Sequence, residues 1–174
     1  AQQGVRGKGR GIVHESYPVK HQPGLEHEQF TLETWVKVPK DAIHKNRGWI
    51  VSKNSNGATP GFYGIEIRGD SVAAAMNTGE RGWDNNVSIS PDRHTLVPDK
   101  WYHLAMTYDG KSLGIHVNGR LRNSIEVNKK RVLGSGDMRI GKRADNNGRA
   151  SKIMVDQLRL WNRALSAQEL IRHD

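Results

Sequence analysis

Trp83 stands in the run NTGERGWDNN, residues 77–86, among amides, charges and glycines, with nothing apolar beside it to bury it. An indole normally removes about 150–250 Å² from water, so one without apolar company points to work at the surface. A flat indole can stack on a pyranose ring, and Arg81, two residues earlier, can fork onto a carboxylate or sulfate. The competing reading folds Trp83 back over the rim of the fold as packing. Two other stretches offer oxygen ligands, Asp84-Asn85-Asn86 and Asp145-Asn146-Asn147, although Asx-rich turns also form without a metal. His14, His21 and His27, scattered among Glu15, Glu26 and Glu28, have spacings that suit neither a helical nor a hairpin metal site. Arg68-Gly69-Asp70 falls between two apolar runs and reads as a hairpin turn, not as an adhesion motif.

The chain that must position these groups has 174 residues, 27 Lys+Arg against 18 Asp+Glu, a formal charge of +9 and no cysteine. That length suits one domain able to bury most of its apolar surface. The charge draws anions, whether nucleic acid, acidic lipid or acidic polysaccharide, and otherwise serves solubility. Residues 129–149 concentrate it, with Lys129, Lys130, Arg131, Arg139, Lys142, Arg143 and Arg149. No nucleic-acid motif or interleaved aromatic platform accompanies them, so nucleic acid is not the expected partner. The lack of cysteine excludes disulfides, thiolate metal sites and a Cys nucleophile without fixing the compartment. No stretch approaches the roughly 18–20 apolar residues of a membrane span. AQQG at the start reads as a mature or trimmed terminus.

Residues 1–11, AQQGVRGKGRG, read as a flexible basic arm or an edge strand tied down by its neighbours, with the folded domain running over 12–174. Eleven short apolar runs follow: SYPVKH, FTLETWVKVP, WIVSKN, FYGIEI, SVAAAM, NVSIS, WYHLAMTYD, SLGIHVNG, NSIEV, MRIG and IMVDQLRLW. Gly, Asn, Asp and Pro punctuate them, which predicts an all-β sandwich or jelly roll. Only SAQELIRHD has helical character, with Ser166 and Glu169 at capping-box spacing.

Four segments of the chain carry a family resemblance. FTLETWVKVP resembles the opening core strand of laminin-G-like jelly rolls in the concanavalin A-like lectin/glucanase group. LVPDKWYHLAMTYDGKSLGIHVNGRL resembles that family's Trp-x-His strand, Tyr-Asp-Gly turn and Val-Asn-Gly hairpin. MRIGKR and VDQLRLWNRALSAQEL resemble its last two strands and closing turn. The match runs from about residue 17 to 171 with order and spacing kept, and it implies a two-sheet antiparallel sandwich with a short C-terminal helix. It also implies structural roles for Trp35, Trp101, Tyr108, Asn118 and Asp156, whereas Trp83 lies outside every matching segment. The architecture serves lectins, binding modules, pentraxins, glycosidases, lyases and adhesive domains, so it does not choose a function. Relatives often hold a structural Ca²⁺ at the rim. Asp145 and Asn147 are the candidate ligands here, while the family's usual Asp-Gly run before the second strand is replaced by HESYP.

Side-chain alternation then sorts the faces. Tyr63, Ile65, Ile67, Val72, Ala74, Met76, Tyr102, Leu104, Met106, Tyr108, Leu113, Ile115 and Val117 point inward. Outward stand Ala73, Ala75, Ala105 and Gly114 among Glu66, Arg68, Asn77, His103 and His116. Similar jelly rolls bind glycans along a concave sheet. If these four segments share that sheet, the small residues leave a floor and the polar ones supply hydrogen bonds. The expected reading is a non-catalytic carbohydrate-binding module for an acidic polysaccharide, secreted or extracellular (periplasmic or cell-surface included) and attached to a larger protein. Trp83 stacks, Arg68, Arg81 and Arg143 meet acid groups, and Glu66, Asn77, His103 and His116 bond hydroxyls. Two alternatives stay open. A lyase of this shape would neutralise a uronate with Arg68 or Asn77 and use His103 or His116 as base and acid. A retaining glucanase would need carboxylates about 5–5.5 Å apart, and no Glu-x-Asp-x-(x)-Glu string occurs. The second alternative is an adhesive or structural domain without a sugar site.

Overall fold

The computed structural model describes residues 2–4, 7–12, 16–43, 47–91, 95–147 and 150–171. Its strands are β1 (Gln2–Gly4), β2 (Gly7–Ile12), β3 (Tyr17–Val19), β4 (Phe30–Lys37), β5 (Arg47–Lys53), β6 (Tyr63–Arg68), β7 (Ser71–Asn77), β8 (Asn86–Ile89), β9 (Trp101–Tyr108), β10 (Ser112–Val117), β11 (Arg120–Glu126), β12 (Met138–Ile140) and β13 (Ile153–Trp161), followed by a helix, α1 (Ala167–Ile171). Each of the eleven apolar runs holds one strand from β3 to β13. The basic N-terminal stretch supplies β1 and β2, and β2 pairs antiparallel with β13. Among the described residues, β1 lies at the edge of its sheet and β2 between β1 and β13.

Two antiparallel sheets face each other. One runs in the order β1-β2-β13-β4-β9-β10-β11 and the other β3-β12-β5-β6-β7-β8. Their inner faces meet in one core of Phe30, Leu32, Val51, Tyr63, Ile65, Ile67, Met76, Leu104, Met106 and Ile115, and the inward set read from alternation lies in it or packs against it. Two-residue turns join the hairpins where the sequence permits φ > 0. Gly69-Asp70, with Gly69 at φ +67°, links β6 to β7, so the Arg-Gly-Asp run is a strand end and its turn. Asn118 (φ +49°) and Gly119 (φ +70°) link β10 to β11 in the same manner. At α1 the Ser166 N–H donates to Glu169 Oε2 at 2.9 Å, and the Glu169 N–H donates back to Ser166 Oγ at 3.3 Å, the reciprocal capping box. Among the described residues no helix is long and apolar enough to cross a membrane.

One expectation is overturned here. β6 and β7 lie in the six-stranded sheet, whereas β9 and β10 lie in the seven-stranded one. Alternation gives the side of a strand that leaves the core but not the sheet it joins. The chain changes sheet between β8 and β9, across residues 90–100. Glu66, Arg68 and Asn77 therefore face out of one side of the sandwich, and His103 and His116 out of the other. Neither outer face is an open floor at the small residues. Ala73 and Ala105 are 0% exposed and Ala75 is 3% exposed. Leu165, Leu170 and Trp161 pack over Ala105, and Phe62 meets Trp49 edge-on, ring centres 5.2 Å apart, outside β5 and β6.

Candidate functional site

On the outside of the seven-stranded sheet Glu33 gathers its polar neighbours. His103 Nε2 donates to Glu33 Oε2 at 2.9 Å, and Trp161 Nε1 donates to Glu33 Oε1 at 2.8 Å. Arg159, opposite Glu33 across β13 and β4, brings its guanidinium to 3.5 Å. Glu33 and His103 are almost completely buried. His116 bonds Thr107 Oγ1 at 3.1 Å, and burial, then the neighbouring charge of His103, pushes its imidazole down to about 4. These histidines knit the sheet and the C-terminal segment together, and neither is placed to meet a ligand hydroxyl. The set Arg68, Asn77, His103 and His116 named for a lyase cannot act together, since it is divided between opposite faces.

Outside the six-stranded sheet, Glu66 accepts from Arg68 Nε at 2.8 Å, and Arg68 continues to Ser88 Oγ at 3.2 Å. Asn77 is fully buried and works as a clamp. Its Nδ2 donates to the carbonyls of Gly57 and Gly82 at 3.0 and 3.2 Å, and its Oδ1 accepts from the Gly79 N–H at 3.0 Å. Two loops, after β5 and after β7, are thereby held side by side at one end of the sandwich. The Gly82 N–H bonds the Ala58 carbonyl and fastens them again.

Trp83 opens the short 3₁₀ turn Trp83–Asn85 on the second of these loops and is 62% exposed. Its ring rests on Gly57, where an added β-carbon would stand 2.7 Å from Cζ3. The indole does not fold into the core: the Cζ3 edge of the ring packs by Gly57 and most of its surface is offered to solvent. Arg81 is exposed beside it and has no ion pair among the described residues. Asn85 braces the turn through Nδ2 to the Glu80 carbonyl at 3.0 Å.

The same end of the sandwich holds a network that the sequence reading missed. Lys53 is fully buried, and its Nζ donates to Glu26 Oε1 at 2.7 Å, the Gly136 carbonyl at 2.8 Å and Asn54 Oδ1 at 3.1 Å. Arg131, read as part of a surface basic cluster, is instead 3% exposed. It donates to Glu26 Oε2 and to the carbonyls of Gly61 and His27, stacked over Phe30 and Tyr63 with centroid distances near 5 Å. A signal existed: Lys53 follows Val51 at the inward parity of β5, and a buried lysine needs a carboxylate.

Arg143 and Asp145 are brought together, but on each other. Arg143 Nε bonds Asp145 Oδ1 at 2.9 Å, the same oxygen accepts the Asn147 N–H, and Oδ2 accepts from Asn56 at 3.5 Å. Burial alone would raise this carboxyl, yet the Arg143 and Asn147 bonds hold it below the ordinary aspartate value. A guanidinium and amides already fill the donor positions that a hard cation would seek from Asp145. Asn147 is exposed and contributes its backbone to the turn. The loop fits calcium poorly. Among the described residues no three His, Asp or Glu side chains converge as a metal set; His14 and Glu15 lie outside those residues, as does Arg149 of the basic stretch.

The sandwich fold is shared with known structures. The binding domain of Paraclostridial Mosquitocidal Protein 1 superposes with a TM-score of 0.75 at 18% identity, covering 98% of this chain and 44% of that one. A candidate carbohydrate-binding protein from Bacteroides ovatus gives 0.71 at 19% identity, covering 94% and 45%. A structure of botulinum neurotoxin type C, whose cell entry depends on interaction with two ganglioside molecules, gives 0.62 at 15% identity, covering 84% and 35%. The chain thus spans less than half the length of each. No curated protein sequence matches it significantly. At such identities the likeness speaks for the fold, and the sequence match speaks for descent. Residues 14–171 match the Laminin_G_3 family, and the chain belongs to the concanavalin A-like lectin/glucanases superfamily.

Proposed function

We propose that this chain is a non-catalytic carbohydrate-binding module, part of a larger secreted or extracellular protein, that recognises an acidic polysaccharide at the loop end of the sandwich. The observation that carries this reading is the indole of Trp83, exposed yet seated on Gly57 by a buried amide clamp. A solvent-facing aromatic that is rigidly held loses little freedom on binding a sugar ring, which is the economy of a preorganised site. Arg81 beside it suits a carboxylate or sulfate, and the +9 charge favours acidic chains over neutral ones. The candidate carbohydrate-binding protein from Bacteroides ovatus and the neurotoxin whose cell entry depends on gangliosides, which are glycolipids, are similar in fold, and this supports the same class. The contact surface is moved from the sheet face expected from alternation to the loop rim, because Glu66, Asn77, His103 and His116 are engaged in the fold.

Affinity electrophoresis through alginate, pectate, dextran sulfate and neutral dextran tests the reading. Retardation in at least one acidic gel, weakened by salt and by Trp83→Ala with an unchanged melting temperature, supports it. Equal mobility in all gels, or a large loss of stability in Trp83→Ala, ends it. Assay of the same mixtures for new reducing or unsaturated ends separates binding from cleavage.

A further inference from the structure

A cleft of about 540 Å³ lies at the loop end, between the β9–β10 turn, the segment after β11 and residues 28–29. Its size is that of a small-molecule site. Lys111, Lys129, Lys130 and Arg131 line it, against one carboxylate, Glu28. Glu28 is claimed at 3.1 Å by Lys130. Lys129 reaches no carboxylate among the described residues: its Nζ meets the amide oxygen of Asn85 at 3.1 Å, two residues beyond Trp83. That bond joins the cleft to the indole platform.

The base of the cleft is also positive. Arg131 and Lys53, both buried, share the single carboxylate of Glu26. Lys53 Nζ has three oxygens and also His21 Nδ1, at 3.2 Å, within hydrogen-bond reach; burial lowers its pKa from the ordinary lysine value, while the bond to Glu26 and the charge of that carboxylate oppose the fall. Asp137, the next acid, is taken by Lys20 at 2.9 Å and by the His21 N–H. Two buried cations on one anion leave an excess positive charge in a weakly screened interior, and its field is felt in the cleft above. Arg131 Nε, buried as well, has no acceptor among the described residues.

We infer that this cleft is the anion subsite of the module and receives the carboxylate or sulfate groups of a polysaccharide whose neighbouring ring stacks on Trp83. The inference rests on the sugar-binding reading above and adds to it which residues select the acid groups. Lys111 and Lys129 are the exposed charges that contact them, and Arg131 with Lys53 supplies the fixed field beneath.

The test compares the unmodified protein, Lys111→Gln/Lys129→Gln and a charge-matched control, Lys40→Gln/Lys100→Gln, whose lysines lie at the opposite end of β4 and β9. Binding of the acidic polymer retained in the gels above is titrated over a range of salt. The cleft variant is expected to bind at least about tenfold more weakly at low salt, with its log K against log[salt] slope shallower by about one to two. The control should fall much less, and all three proteins should melt alike. Equal losses in both double variants would show a response to net charge alone and overturn the inference while leaving the sugar-binding reading intact. A DNA duplex that binds as tightly as the polysaccharide, and loses as much in the cleft variant, would overturn it too. No retention of any polymer by the unmodified protein ends both.

Discussion

The indole of Trp83 lies so close over Gly57 that a single methyl group at Gly57 would stand 2.7 Å from the ring and 2.8 Å from Asn86 Oδ1. Gly57 does not adopt a left-handed backbone, so alanine is sterically excluded by the indole rather than by its own chain. Gly57→Ala should therefore lift Trp83 off its seat without changing its chemistry. We expect polysaccharide affinity to fall several-fold, approaching that of Trp83→Ala, with a stability loss of about 1–3 kcal/mol, as overpacking costs at a buried position such as Gly57. Urea unfolding and affinity gels read the two separately. Full affinity in Gly57→Ala would mean that the seat does not matter to binding.

How much of this was legible beforehand differs between residues. Trp83 was visible because nothing in its own segment could bury it. The faces of β6, β7, β9 and β10 were visible because Ile65, Met76, Leu104 and Ile115 keep strict alternation into one core. Sheet membership was not, since β8 and β9 are consecutive strands whose sequences carry no mark of the crossing between sheets. Ala73, Ala75 and Ala105 then read as an open floor, when their smallness instead admits close cover by other parts of the chain. Asn77 and Arg143 read as ligand contacts because amides and guanidiniums look alike whether they face a sugar or, as here, a backbone carbonyl and the Asp145 carboxylate. The Glu26, Lys53 and Arg131 triad joins residues far apart in sequence, and only the fold brings them together.

That triad makes Glu26 a structural keystone. Replacing one member of a buried ion cluster costs about 3–5 kcal/mol, because the remaining charges stay desolvated without an answer. Glu26→Gln should approach this range, since its amide can still accept one bond but cannot balance Lys53 and Arg131. Glu28→Gln, the same change at a surface pair, should cost below about 1 kcal/mol. Urea midpoints of the two variants decide it; parity between them would show that the buried cations find other compensation.

Calcium is expected to matter little. A cation that bound only the folded chain would raise the melting temperature with concentration. Asp145, the carboxylate of the candidate loop, is already held by Arg143 Nε and the Asn147 N–H. Adding millimolar Ca²⁺ or EDTA should leave the melting curve and polysaccharide retention unmoved. A concentration-dependent rise with Ca²⁺, abolished by Asp145→Asn, would instead place the ion in that loop at Arg143's expense.

The buried imidazole of His116 gives the fold a one-sided response to acid. Its ordinary value is 6.5, and burial followed by the charge of His103 lowers it to about 4 in the folded protein. Between these values the unfolded chain binds the extra proton, so stability rises with pH across that window. The contribution is present in full above about pH 6.5, drains away as pH falls towards 4 and stays lost below. For this one group the change approaches on the order of 3 kcal/mol, a slope of about 1.4 kcal/mol per pH unit at most. His116→Gln removes the titration and keeps a side-chain partner for Thr107 Oγ1, bonded at 3.1 Å in the native protein. Urea unfolding at pH 7.5, 5.5 and 4.5 should show the variant losing less stability than the parent as pH falls, whatever its absolute stability. Parallel pH profiles for parent and variant would mean that His116 titrates alike in the folded and unfolded chain, contrary to its burial between β9 and β11.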